Sequence, residues 1–175
     1  MEYFVISQDK RIENVVEPIG ILKEINKEIL NKEGIKHMDD MPVQFDIKEK
    51  SSSEYIDFIE KPVLLVSDNL KKILNKYDKK IFFKPVVLCD RKEEKQDLYW
   101  LMVLDSIDCL SPKSEFNKNG TIKRLIIDEK KIGNFKIFKV NEVMEDLVII
   151  RLDVAESLLR RDFTGIKLKK VEREN

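Results

Sequence analysis

The chain has 175 residues, enough for one domain with a well-buried core. Its 33 basic and 33 acidic side chains give a formal net charge of zero, so overall charge gives no indication of nucleic-acid binding. No stretch approaches the ~18 consecutive apolar residues of a transmembrane helix, and residues 1–10 lack the features of a signal peptide. We therefore expect a soluble, cytoplasmic protein.

The predicted elements begin with a short apolar strand at residues 3–7. Apolar residues then recur at helical spacing between Ile21 and Leu30, and Gly34 suits the C-terminus of a helix. This part of the chain therefore predicts one amphipathic helix.

An acidic segment runs from His37 to Glu60, where seven acids against two lysines give a local formal charge of −5. Acids can steer a basic protein towards this segment, and interleaved aromatic side chains can anchor it. A solvated loop, balanced in space by lysines elsewhere, is the alternative. The predicted partner-binding residues are Asp39, Asp40, Asp46, Asp57, Glu60, Phe45, Tyr55 and Phe58.

Two segments of the chain resemble each other. Residues 63–86 align without a gap on residues 148–171, with six identical positions, and both copies predict a strand, a short helix and a strand. Ser67 is the predicted N-cap of the first helix, and Asp68 and Asp153 begin the two helices. Chance convergence of two similar units is the alternative.

Further strands are predicted at residues 81–88, 98–104, 122–127 and 135–140. The run from Leu98 to Leu104 is apolar throughout, which is typical of a strand buried on both faces. Neighbouring strands with few helices predict a single α+β domain over residues 1–175, built on one mainly antiparallel sheet. Residues 1–60 form its variable N-terminal part.

Candidates for chemistry are few. Asp105 and Asp108 are carboxylates in strongly apolar sequence, which suits either a metal-dependent hydrolase or nuclease, or two acids that accept backbone hydrogen bonds. His37 is the single histidine, which excludes a histidine-rich metal site. Cys89 and Cys109 lie in apolar runs as core thiols, and a disulfide between them stays open. We expect no catalytic residue, metal or cofactor.

The order of four segments resembles an immunity-protein family of bacterial polymorphic toxin systems, the immunity-eleven type, formerly a domain of unknown function. The similarity covers residues 57–171. Its segments are DFIEKPVLLVSDNLKKIL, YWLMVLDSIDCLSPKSEF, IKRLIIDEKKIGNFKIFKV and LVIIRLDVAESLLRRDFTGIKLKKV.

This resemblance implies a cytoplasmic protein that binds and neutralises a cognate toxin. It carries no catalytic residue over to this chain, because such families have none. An enzyme that uses Asp105 and Asp108, and a structural module of a larger complex, are the alternatives. We expect partner specificity in the N-terminal third, which the similarity does not cover.

Overall fold

The computed structural model describes residues 1–174, except for the side chains of residues 29, 32 and 35. The chain divides into two compact units. Unit one contains Gln8–Val103 and Phe163–Ile166, and unit two contains Met1–Ser7, Leu104–Asp162 and the residues from Lys167 onward. The single domain over residues 1–175 stays a prediction.

The chain forms runs of strands with few, short helices, and this mixed α+β composition confirms the predicted class. The helices are α1 (Ile21–Glu24), α2 (Lys32–Ile35), α3 (Asp68–Tyr77), α4 (Glu129–Ile132) and α5 (Leu152–Leu159), with a 3₁₀ turn at Lys27–Ile29. The strands are β1 (Tyr3–Gln8), β2 (Val43–Asp46), β3 (Phe58–Ile59), β4 (Leu65–Ser67), β5 (Phe82–Asp90), β6 (Lys95–Val103), β7 (Ser106–Ile107), β8 (Glu115–Phe116), β9 (Ile122–Arg124), β10 (Ile126–Asp128), β11 (Ile137–Val140), β12 (Val148–Arg151), β13 (Ile166–Lys170) and β14 (Glu172–Glu174).

The sheet of unit one has the strand order β2-β5-β6-β4-β3. Its longest pairing is the antiparallel hairpin of β5 and β6, in which Phe82 opposes Val103 and Asp90 opposes Lys95. β4 adds antiparallel to β6, whereas β2 adds parallel to β5. The hairpin thus forms the middle of the sheet.

The main sheet of unit two has the order β13-β1-β12-β11-β7. Two small sheets pair β10 with β14 and β8 with β9. The described strands therefore form four sheets, and the predicted single sheet is wrong. The sequence pattern locates strands but does not specify their partners, because register and turn geometry decide which edges meet.

Both self-similar segments form a strand, a helix and a strand, and in both a strand from elsewhere in the chain lies between these two strands. In the first segment the two strands are β4 and β5, and β6 lies between them and runs antiparallel to both. In the second, β1 lies between β12 and β13. Each segment is therefore a split βαβ unit. That the two units superpose stays a prediction.

The two helices of these units begin differently. Ser67 caps α3 as expected, since its hydroxyl accepts a hydrogen bond from the Leu70 amide at 3.2 Å. α5 begins one residue earlier than the alignment predicts, at Leu152, so that its N-cap is Arg151, which makes no side-chain cap. The Arg151 guanidinium instead donates two hydrogen bonds to Asp153. α5 ends at Leu159.

The predicted helix between Ile21 and Gly34 is broken into α1, the 3₁₀ turn and α2. Asparagine side chains explain the breaks. Asn26 accepts a hydrogen bond from the Glu28 amide, and Asn31 accepts bonds from the Glu33 and Gly34 amides. Each asparagine starts a new turn as an N-cap, which interrupts the preceding one.

One face of the sheet of unit one is buried over most of its length. Leu88, Tyr99 and Leu101 lie on it, in a core with the α1 residue Ile21. The opposite face is covered only in part, since Leu98 is 45% exposed. β6 was predicted to be buried on both faces, and this is wrong at the end of the strand that contains Leu98.

The two faces of β6 give a matched pair of variants. Leu101 is fully buried, so Leu101→Ala should lower the free energy of unfolding by about 2 to 5 kcal/mol. Leu98→Ala, three residues away on the open face, should cost about 1 kcal/mol or less. Urea denaturation measures both values, and equal losses would contradict the assignment of the two faces.

Candidate partner-binding surfaces

The acidic segment is tied to the sheet of unit one by a buried lysine. The ammonium group of Lys84 donates hydrogen bonds to a carboxylate oxygen of Asp39 at 2.7 Å and to the backbone carbonyls of Asp39 and Met41. The hydrogen bond and the charge of Lys84 hold the pKa of Asp39 below its ordinary value. Asp39 therefore fixes the loop before β2, and its charge is matched.

Two further acids of the segment also have partners. Asp46 forms an ion pair with Arg91, whose hydrogen bond lowers the pKa of the carboxyl. Glu60 lies partly buried, and its side chain accepts a hydrogen bond from the Gln8 amide. Asp40, by contrast, is exposed to solvent. Some of the predicted acids are therefore paired with a residue of this chain, whereas the carboxylate of Asp40 faces solvent.

Asp57 organises a junction within unit one. Its carboxylate accepts hydrogen bonds from the Ser67 hydroxyl at 2.5 Å and from the Thr164 amide at 2.7 Å. The next residue, Gly165, has a φ of +74°, and a Cβ there would lie 2.6 Å from the side chain of Ile56. Asp57 therefore joins the helix cap to a tight glycine turn, which is a structural role.

The predicted aromatic anchors also differ from one another in exposure. Phe45 and Phe58 are only 5% and 1% exposed, because they pack in the apolar interior. They present no surface to a partner in this conformation. A period-two pattern shows which residues share a face of a strand but not which face is covered, so the sequence could not distinguish these residues from exposed anchors.

Tyr55 is the predicted anchor that stays accessible. It lines an open groove of about 840 Å³ between residues 48–53 and the turn of the β5–β6 hairpin. The ammonium group of Lys95 lies 3.8 Å from the centre of its ring. Burial of the hydroxyl, with the nearby charges of Asp90 and Asp97, raises the pKa of Tyr55 to about 12. The phenol therefore stays protonated at neutral pH.

A second surface was missed by the sequence analysis. Pro85 opposes Trp100 and Val87 opposes Leu98 across the β5–β6 hairpin, so the four side chains share the face opposite the buried core. We call these four residues the open-face cluster. Leu98 is exposed, and the other three are partly exposed. The signal was present as the apolar run of β6, but the pattern did not show that the covering layer stops short of Leu98.

Helix α3 covers one end of this face and fixes Trp100. The indole N–H donates a hydrogen bond to Asp68 at 3.0 Å, and the ammonium group of Lys71 lies 3.6 Å from the centre of a Trp100 ring. Lys72 forms an ion pair with Asp68 at 2.5 Å, and its hydrogen bond holds the pKa of Asp68 below its ordinary value. The tryptophan is therefore held in one orientation.

The residues considered for catalysis lie in different surroundings. Asp108 is exposed and lies 3.7 Å from the ammonium group of Lys131, and Asp105 is partly buried. Across the described residues, no group of three or more His, Cys, Asp or Glu side chains is arranged to hold a metal ion. His37 is exposed, and Cys89 and Cys109 are buried free thiols. Burial raises the pKa of Cys109 to about 11.

No helix in the described part of the chain is long and apolar enough to cross a membrane.

The structural role of Asp57 predicts a clear contrast with Asp40. Asp57→Ala leaves the Ser67 hydroxyl and the Thr164 amide without their acceptor and should destabilise the protein by about 1 to 3 kcal/mol. Asp40→Ala removes an exposed carboxylate and should change stability by no more than about 0.5 kcal/mol. Chemical denaturation compares the two, and a neutral Asp57→Ala would contradict the junction.

The low pKa of Asp68 predicts a pH dependence with a definite sign. Because the pKa of Asp68 in the folded state is lowered from its ordinary value of 3.8, the carboxylate stabilises the protein above that pH and stops doing so as the pH falls. The difference in unfolding free energy between the wild type and Asp68→Asn should therefore shrink below about pH 4. A difference that stays constant from pH 7 to pH 3 would contradict this assignment.

The comparison with known families agrees with the resemblance drawn from the sequence. The family model of the Imm11 immunity proteins matches residues 7–173, which extends the similarity from residue 57 back to residue 7. No curated protein matches the chain. Since the family match spans nearly the whole sequence, the chain belongs to the Imm11 immunity protein family.

Proposed function

We propose that this protein is an immunity protein that binds a cognate bacterial toxin and neutralises it by non-covalent contact. The observation that carries the proposal is the match of the immunity family over residues 7–173. The protein then acts without catalysis, as a stoichiometric partner of the toxin in the cytoplasm of the cell that produces it. Nothing favours the alternative of a hydrolase or nuclease: Asp108 pairs with Lys131, and among the described residues no group of three or more His, Cys, Asp or Glu side chains is placed to hold a metal ion.

The acidic segment contributes to this proposal in a reduced form. Asp39 and Asp46 form ion pairs with Lys84 and Arg91. The carboxylate of Asp57 accepts a hydrogen bond from the Ser67 hydroxyl and has a structural role. Three exposed acids of the segment remain available to steer a basic region of the toxin: Asp40, Glu49 and Glu54. Tyr55 lines the groove and follows Glu54 in the sequence. Of the predicted aromatic anchors, it is the one that remains accessible to the toxin.

Co-expression tests the function directly. The gene directly upstream is expressed in a bacterial host with and without this protein, and growth and co-purification are measured. The toxin alone should stop growth, and the wild-type protein should restore growth and purify with the toxin in a fixed ratio. Growth arrest that persists when both proteins are present and folded would contradict the proposed function for this pair.

Charge reversal tests the steering acids. The triple variant Asp40→Lys, Glu49→Lys and Glu54→Lys should slow association with the toxin by about tenfold at low salt, because long-range attraction sets the association rate. The effect should fade as salt is raised. Stopped-flow mixing measures the rate constants.

A matched control reverses three exposed acids outside the segment, Glu13, Glu24 and Glu28. This control makes the same change in net charge and should slow association much less. Equal rates for the two triple variants would show that the acidic segment has no special part in steering.

A further inference from the structure

The open-face cluster is an apolar surface at the middle of a sheet rather than at its edge. Pro85 and Val87 lie on β5, Leu98 and Trp100 lie opposite them on β6, and direct cross-strand pairing makes the four side chains contiguous. Leu98 is 45% exposed, whereas Met102 on the same face of β6 is 2% exposed. α3 therefore covers the Met102 end of the face and leaves the Leu98 end open.

The tryptophan of this cluster is ordered before any partner arrives. Asp68 holds the indole N–H, and Lys71 covers one face of the ring. A rigid tryptophan loses little conformational freedom on binding, which is one reason why tryptophan is frequent among the residues that dominate interface energies. The cluster therefore has the composition and the rigidity of an interface centre.

The charges at its border indicate which partner fits. Asp46 and Arg91 form a neutral pair on the β2 side. On the α3 side, the charges of Lys71 and Lys72 both act on the carboxylate of Asp68, and Lys72 forms the ion pair with it. Lys71 forms no ion pair among the described residues and contacts the rings of Trp100 and Phe83 instead. Lys71, Lys72 and Arg91 thus face two carboxylates, those of Asp68 and Asp46, which leaves one positive charge in excess among these five groups.

We infer that the open-face cluster is the docking site for an apolar segment of the toxin that carries a carboxylate, with the apolar side chains packed on Leu98 and Trp100 and the carboxylate paired with Lys71. This inference rests on the proposed function and adds the surface and the chemistry of the contact. The acidic segment steers the toxin, and the cluster anchors it.

Substitutions at Leu98 test both the site and the sign of the partner's charge. The probe is the product of the gene directly upstream, in a variant that no longer arrests growth, and calorimetry measures its dissociation constant. Leu98→Asp should raise the dissociation constant about 30-fold or more, as expected for a residue at an interface centre. Leu98→Lys should weaken binding less, because lysine attracts the carboxylate that aspartate repels.

Lys71→Glu tests the predicted ion pair. It should raise the dissociation constant by about fivefold to tenfold at low salt, and less at high salt. Lys76→Glu makes the same change of charge at an exposed position of the same helix and should stay within about twofold of the wild type. Leu159→Asp is the matched apolar control on α5, where Leu159 is 74% exposed, and should also stay within about twofold.

The outcomes separate this inference from the proposed function. If the wild type binds the toxin and Leu98→Asp and Lys71→Glu, shown to be folded by circular dichroism, bind equally well, the docking site is wrong and the function stands. If Leu98→Lys is the more harmful substitution, the partner is basic at this face and the inference is overturned. If Leu98→Asp turns a dimer into a monomer with unchanged toxin affinity, the face is a self-association surface. If the wild type fails to bind, both proposals fall.

Discussion

The antiparallel pairing of β5 with β6 is the constraint on which the architecture of unit one depends. It runs from the Phe82–Val103 pair to the Asp90–Lys95 pair, and the remaining strands of the sheet add on either side of it. Because side chains alternate along both strands, this one register directs Leu88 and Leu101 into the core and Leu98 and Trp100 to the opposite face. The core and the candidate interface are therefore two consequences of the same hydrogen-bonded ladder.

Local signals in the sequence predicted local structure well. Ser67 stands before a run of apolar residues at helical spacing, and it caps α3 through the Leu70 amide. The same reasoning failed between Ile21 and Gly34, where Asn26 and Asn31 cap new turns and break the expected helix. An asparagine in a helical pattern is either an interior residue or a cap, and the spacing of apolar residues does not distinguish the two.

Tertiary features could not be predicted in the same way. The acidic segment has a formal charge of −5 in sequence, but Lys84 and Arg91 reach it from strand β5 and from the turn that follows, and they neutralise Asp39 and Asp46. Phe45 was predicted from the sequence to anchor a partner, but in the structure it is a buried core residue. Exposure depends on which elements cover a face, and that information lies in strand pairing rather than in any short stretch of sequence.

Membership of an immunity family makes binding the expected activity, and we place that binding at the open-face cluster. Trp100 is the single tryptophan of the chain, so 5-fluorotryptophan gives one ¹⁹F resonance that reports on this face alone. Adding unlabelled toxin domain to the labelled protein should shift that resonance, with an end point at a 1:1 ratio. A soluble paramagnetic probe should also broaden the resonance less in the complex, because the toxin covers Trp100. A resonance that stays unchanged in position and in accessibility, while calorimetry shows a saturated complex, would contradict the account.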